Sequence, residues 1–428
     1  MNANRRILLI DADAFFVSVA RQVDPAGAGQ AKLLIVGGRP GSRGVVCSAS
    51  YECREYGVRS AMSIARALRL CPDALCVPVP REACSARSRA IQQVLTRFVP
   101  VVQSSSIDEW YGDLAGTEAL YGHEPLEATA TRIREAVFEA TGLSVSIGGG
   151  TSRLIAKVAV ERAKPKPGSG ATGVYCVTPG EEATFLAPLR LADLPMVGPR
   201  FAERLERLGL VWVRDAQAWS EEALVERLGE RAGRWLAQRV HGRDDSPVSP
   251  RERQKQVSRE DTFARDVADP ELLERELLRL AVRVSIDLRR QALRARTVTV
   301  KLRTNDFRTR TMQRTLPAPI ETEGAVARVA RSLLRALRRA QRAPVRLLGI
   351  SLSHFDDEPA SGTEQLGLFA PVPAVASPTE HDAKDADTPR DLALTRALDR
   401  IRDRFGTGAI LPARLVDPHT DTGPRVEE

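Results

Sequence analysis

The apolar positions of this chain change period repeatedly. Ile7-Leu8-Leu9-Ile10 is an unbroken apolar run that stops at Asp11, as expected of a buried strand. A second strand-like run, 98–102, lies a few residues ahead of Asp108-Glu109. Stretches 5–10, 33–36, 44–48 and 144–147 read as strands and alternate with helical ones such as 126–141, so residues 1 to about 178 read as a mixed α and β body. From about 179 to 246 the period is helical. There Leu191-Ala192-Asp193-Leu194-Pro195-Met196-Val197-Gly198-Pro199-Arg200 leads into a helix at 201–209. A glycine turn between helices suits phosphate binding, and is also common in any helical domain. A proline-bounded linker at 247–250 follows. The pattern then predicts strand 256–263, helix 271–292, a hairpin of strands 296–303 and 308–315 turning at Asn305-Asp306, helix 323–340 and strand 345–354, a βαββαβ order.

The hairpin carries an expectation about faces. Val298, Val300 and Leu302 alternate with Thr299, Lys301 and Arg303, while Arg308, Arg310 and Arg314 share one side of the second strand. One sheet face is therefore predicted to be apolar and the other basic. Arginines 328, 331, 335, 338 and 342 lie opposite Val326, Val329, Leu333 and Leu337 on helix 323–340, a solvated face. The net charge is +8, yet residues 283–346 alone hold 17 Arg or Lys against 4 Asp or Glu. Such a block suits a nucleic-acid partner, and equally a solvated arginine-rich surface. Beyond 356 the composition turns acidic and rich in Pro, Ala and Thr, which predicts disorder. Two islands interrupt it. One is Gln365-Leu366-Gly367-Leu368-Phe369. The other is a helix at 389–405, opened by Thr388-Pro389, closed by Gly406, with Leu394, Leu398, Ile401 and Phe405 on one stripe suited to docking on a partner or back on the body.

At 428 residues and 43% hydrophobic content the chain should form several packed domains. Its six cysteines include no Cys-x-x-Cys pair and no histidine at zinc spacing, so free thiols in a reducing, cytoplasmic compartment are expected. Four apolar residues before Asp11 are too few for a secretory signal, and no later stretch approaches a membrane span. Asp11, Asp108 and Glu109 offer hard oxygen ligands at strand ends. Such ligands suit Mg²⁺, and a magnesium pair is a common device for phosphoryl or nucleotidyl transfer. Taken singly, each acid is equally a strand end or a turn residue, Phe16 a core residue and Arg54 a surface one.

Together the segments carry more. Ile10-Asp11-Ala12-Asp13-Ala14-Phe15-Phe16, residues 48–62 with Gly57-Val58-Arg59-Ser60-Ala61-Met62, Ser106-Ile107-Asp108-Glu109, Leu154-Ile155-Ala156-Lys157-Val158-Ala159 with Ala163-Lys164-Pro165, and the turn from Pro195 to Gly198 stand in a known order and spacing. Over residues 5 to about 356 the chain resembles the Y-family, lesion-bypass DNA polymerases, of the bacterial DNA polymerase IV type. The resemblance implies an α+β, multidomain right-hand fold. Its parts would be a palm (1–20 and 79–178), small fingers (21–78), a helical thumb with a helix-hairpin-helix (179–246), a linker (247–255), a βαββαβ little finger that binds DNA (256–356) and a flexible tail (357–428). It also implies template-directed, low-fidelity synthesis without proofreading.

By the same resemblance Asp11, Asp108 and Glu109 are the catalytic acids and, with the backbone carbonyl of Ala12, hold two Mg²⁺ ions. Phe16 takes the place of the steric gate against a ribose 2′-hydroxyl. Tyr51, Arg54 and either Lys164 or Lys166 would hold the incoming deoxynucleoside triphosphate, and Asp13 would be a structural partner. Gly198, Lys301, Arg303, Arg308, Arg310 and Arg314 would meet primer-template DNA. Gln365, Leu366, Leu368 and Phe369 resemble the peptide by which replication proteins attach to the sliding clamp. A monomer without membrane attachment is implied. Ala12, Trp110, Gly112 and Met196 depart from the family pattern, and Met196 replaces a glycine, which is unfavourable where φ is positive. Two readings from other classes stand beside this one. A non-catalytic or weakly active clamp-bound DNA scaffold of the same family would keep the body and the peptide. A metal-dependent nuclease would share the acids but have no use for Phe16, Tyr51 or Arg54.

Overall fold

Strand Ile7–Ala12 is buried along its whole length because it is the central member of a five-stranded sheet. The order is Val101–Ser104, Glu109–Asp113, Ile7–Ala12, Val145–Gly150, Val174–Cys176, antiparallel except for the last pair. The structure, a computed structural model, describes residues 5–165, 170–250, 254–356 and 386–415. Two units divide the chain, Met1–Glu252 and Arg253–Glu428. In the first, Leu8 and Ile10 share a core with Ile91 and Leu95 of helix Arg81–Phe98 and with Ile133 and Val137 of helix Leu126–Thr141. Ile7 and Leu9 point the other way, onto Ala156 and Val160 of helix Arg153–Ala163. Covered on both faces, the strand has no polar side. The expected strand at 98–102 is corrected. Phe98 closes a helix whose buried Ile91, Val94 and Leu95 keep the helical period, and the strand begins at Val101.

The same unit carries a three-stranded sheet, Val46–Ala49, Leu34–Gly37 and Leu75–Val77 in spatial order. Helices Tyr51–Glu55 and Ile64–Leu70 close it around Ile35, Val46, Cys53 and Ile64. All six cysteines are free thiols. Short helices from Glu182–Leu186 to Glu230–Val240 build a core of Leu205, Leu210, Val213, Leu224 and Leu236 that they share with Leu154, Ile155 and Val158 of helix Arg153–Ala163.

In the second unit, strands Gln256–Val267, Ala295–Thr304, Thr309–Ile320 and Val345–Phe355 and helices Pro270–Arg290 and Glu323–Ala340 follow the βαββαβ order. Both helices lie over the sheet face that carries Val298, Val300 and Leu302. The hairpin register overturns the expected apolar and basic faces. Leu302 is paired with Arg310 and Val298 with Arg314, and directly paired residues share a face. Arg310 and Arg314 therefore lie on the helix side, at an edge strand, while Lys301 and Arg303 point to the open side. The cause is the turn. A two-residue turn at Asn305-Asp306 would pair Thr304 with Phe307, but the chain pairs Arg303 with Thr309 and takes Phe307 to φ +63°. That one-position change exchanges the two faces of the second strand.

Helix Pro389–Phe405 starts on a reciprocal cap between Thr388 and Asp391 and ends at Gly406, with the limits its sequence predicts. It docks within the second unit by its polar side. Thr395 and Arg402 are 5% and 4% exposed, whereas Leu394 and Phe405 are 57% and 66% exposed. Arg289 holds Asp399 through bonds of 2.6 and 2.7 Å, and Arg402 pairs with Glu323. Asp387 accepts from the backbone N–H of Glu321 at 2.7 Å. Removing one member of a buried ionic cluster leaves its partners uncompensated. Arg402→Met is expected to cost about 3 kcal/mol and to free this helix. Amide exchange over 389–405 should then speed up while that of 270–290 stays as before; unchanged protection over 389–405 would refute the ionic anchor. Among the described residues no helix is long and apolar enough to cross a membrane.

Candidate active site

The two acidic segments meet because their strands are neighbours. Asp11 stands opposite Glu109 on one side and Ser146 on the other. The N–H of Ala12 donates to the carbonyl of Asp108 at 2.9 Å, which joins the segments through the backbone as well. Asp108 precedes the strand, and its carboxylate accepts from Ser106 Oγ. Asp13 accepts from Ser144 Oγ at 2.9 Å and Ser146 Oγ at 2.7 Å, so it ties the turn after the first strand to the neighbouring one. The chain reverses at Ala14, φ +44°, into helix Phe15–Val23. Phe15 is buried there, and half-buried Phe16 lies edge-on to it at 5.5 Å.

Each of the two facing acids holds a lysine. Lys164 Nζ lies 3.0 Å from Asp11 Oδ2 and 2.7 Å from Glu161 Oε1, and Lys157 Nζ pairs with Glu109. Sequence reasoning missed Lys157 and Glu161. A signal existed: Lys157 and Lys164 are seven residues apart, about two helical turns, and so fall on one side of helix Arg153–Ala163 and its extension. Burial pushes the Asp11 carboxyl up to about 7 from 3.8, and the Glu109 charge adds to this while Lys164 opposes it. Burial alone would lower Lys164, but Asp11 and Glu161 carry it above its ordinary value. A buried carboxyl this reluctant to ionise, beside a second acid and with Lys164 only partly offsetting its burial, is stabilised in its charged form by further positive charge. Hard oxygen ligands of this kind fit a divalent cation. Among the described residues no three Asp, Glu, His or Cys side chains already enclose an ion position.

Tyr51 and Arg54 come from helix Tyr51–Glu55, which Ser50 caps by accepting from the Cys53 N–H. Arg54 lies over the Tyr51 ring at 4.9 Å and donates from Nε to the Ala49 carbonyl at 3.0 Å. Burial raises the Tyr51 phenol, and Asp13, Arg54, Lys164 and Asp11 all act on it electrostatically. The structure thus brings Asp11, Glu109, Lys164, Tyr51 and Arg54 together, with Asp108 one residue away. Gly198 caps helix Pro199–Glu206 in the helical part. Lys301, paired with Glu260 at 2.7 Å, and Arg303, bonded to Thr309 at 2.7 Å, belong to the second unit, as do Arg308, Arg310 and Arg314. Lys166 and Gln365, Leu366, Leu368 and Phe369 lie outside the described residues.

Two departures acquire a physical meaning. Trp110 is wholly buried beside Glu109, and among the described residues no hydrogen-bond partner reaches its indole N–H. Met196 sits at φ +74° and is 85% exposed, so it adopts a glycine conformation without burying its side chain. Left-handed backbone costs a side-chain-bearing residue roughly 1–2 kcal/mol, against roughly 0.5–1 kcal/mol of extra flexibility lost by glycine. Met196→Gly should therefore stabilise the helical part by about 1 kcal/mol. Trp212, Trp219 and Trp235 lie in that part, and their fluorescence in a urea titration would report the gain; a midpoint that falls would count against it.

Residues 10–161 match the model of the impB/mucB/samB family, and residues 254–368 match that of the family's C-terminal domain. The chain is 34% identical over 410 residues to a protein of Dehalococcoides mccartyi strain CBDB1 named DNA polymerase IV, covering 96% of this chain and 97% of that one. It is 35% identical over 407 residues to the DNA polymerase IV of Caulobacter vibrioides, covering 95% and 93%. In fold it is similar to a solved Y-family DNA polymerase chimera, with a TM-score of 0.71 at 23% identity over 82% of this chain and 98% of the other.

Proposed function

This chain belongs to the impB/mucB/samB family of Y-family DNA polymerases and is a DNA-directed DNA polymerase of the translesion class, and on that premise we propose that Asp11, Asp108 and Glu109 form the centre at which it extends a primer on a template. The observation that carries this assignment is the facing pair Asp11 and Glu109, with Asp108 joined to the same strand through Ala12. These acids, with the Ala12 carbonyl, would hold two Mg²⁺ ions. When bound, such ions supply positive charge to the attacking 3′-oxygen and the departing pyrophosphate.

The remaining roles follow from this chain's own groups. Arg54 presents a planar fork to phosphate oxygens, and Lys164 is a mobile point charge able to leave Asp11 for the triphosphate. Tyr51, beside both, orients the same group. Phe16 would meet the sugar, and Lys301 and Arg303 on the open sheet face would meet the DNA backbone without reading sequence. Low fidelity and the absence of proofreading belong to the same reading. So do a monomeric state, a cytoplasmic location and attachment to the sliding clamp through Gln365, Leu366, Leu368 and Phe369.

Primer extension with the purified protein and Mg²⁺ tests the assignment. Template-dependent lengthening is expected, whereas shortening would indicate a nuclease and no change a scaffold. Phe16→Ala should raise ribonucleotide incorporation relative to deoxynucleotide by on the order of 10–100-fold, the range a single pocket contact commonly commands. Unaltered sugar selection by this variant would remove Phe16 from the gate.

A further inference from the structure

We propose that Lys164 is a resident counter-ion of Asp11, which an incoming triphosphate must draw away before Asp11 is free to hold a cation, so that nucleotide and divalent cation bind cooperatively through one side chain. The inference rests on the reading of Asp11 as a cation ligand. Lys164 Nζ lies 3.0 Å from Asp11 Oδ2, and that oxygen cannot give its full charge to an ammonium and a metal ion together. The pair is sheltered, with side chains 23% and 13% exposed, so competition between the two cations is weakly screened by solvent.

Lys164 also has somewhere to go. It sits at the C-cap of helix Arg153–Ala163, one residue beyond its last turn, and already shares its ammonium with the exposed carboxylate of Glu161. Tyr51, on the helix assigned to the triphosphate, is within electrostatic reach of both Lys164 and Asp11. A triphosphate there competes with Asp11 for Lys164, while a divalent cation competes with Lys164 for Asp11. Each ligand removes the obstacle to the other, and such coupling is reciprocal. Lys157 is different: it neutralises Glu109 from within the helix and has no second carboxylate partner among the described residues.

The test uses the full chain and reads binding rather than turnover. With Mn²⁺ as the probe and no nucleotide, Lys164→Met should bind the ion about tenfold tighter than wild type, and Lys164→Arg should behave as wild type. In EDTA, a fluorescent deoxynucleoside triphosphate should bind about tenfold tighter to Asp11→Asn than to wild type, and the gain should vanish in the Asp11→Asn/Lys164→Met double variant. Equal Mn²⁺ affinity in wild type and Lys164→Met, with Mn²⁺ binding lost in Asp11→Asn, overturns the inference and leaves the site assignment standing. Undiminished Mn²⁺ binding in Asp11→Asn overturns the assignment itself.

Discussion

Asp11→Asn is expected to lower primer extension about a thousandfold while making the cation-free protein more stable above pH 7. The first effect follows from losing a ligand to ions that stabilise the transition state by several kcal/mol, at about 1.4 kcal/mol per decade of rate. The second follows from the buried carboxyl. Its proton is held to about 7 in the fold, against 3.8 for an ordinary aspartate, so the native state binds that proton more tightly than the unfolded state does. Stability from this group is complete below about pH 4 and is lost as pH rises toward 7. Asparagine keeps the shape without the charge. The difference between variant and wild type should therefore move in the variant's favour between pH 4 and 7, by less than the carboxyl alone would give, because asparagine leaves Lys164 with Glu161 as its carboxylate partner. Melting curves in EDTA at several pH values would show it. A variant that is destabilised in parallel at every pH would mean that Asp11 is needed for folding rather than strained by it.

Gly148→Ala is the substitution expected to damage the fold most. A Cβ at that position would lie 2.2 Å from the backbone nitrogen of Val160 and 2.3 Å from the carbonyl oxygen of Ala156. Both belong to the body of helix Arg153–Ala163, and neither can rotate away. The helix would have to lift from the sheet, taking Lys157 and Lys164 off the acids. Overpacking of this severity costs about 3 kcal/mol or more, so the variant should melt well below wild type and bind triphosphate poorly even where it remains folded. A wild-type melting curve would show that the helix has room to spare.

Much of this was legible in the residues, and the exceptions have physical causes. Asp11 and Glu109 could be found because each closes or opens a short strand within a distinctive segment. Lys157 could not be assigned to Glu109, since 48 positions separate them and only the packing of a helix across the central strands brings them together. Gly148 reads as one of three consecutive glycines, and nothing local shows that a helix backbone lies above it. The limits of helix Pro389–Phe405 were written in Thr388, Pro389 and Gly406, but its inward side was not. Its apolar stripe suggested one face, and the residues that decide the matter, Arg289 and Glu323, lie 110 and 79 positions away. Arg310 and Arg314 were misplaced for a smaller reason, the length of one turn.

The anchoring of helix Pro389–Phe405 bears on how this polymerase can be shortened. Ending the chain at Asp356 would look like trimming a dispensable tail. It would instead uncover Arg289 and Glu323 on the flank of the sheet domain, deprive the turn before helix Glu323–Ala340 of its aspartate, and leave a weakened edge. A minimal version intended for crystallisation or fusion would keep residues 386–415, and any peptide grafted between Asp356 and Ala386 would be held at both ends rather than one.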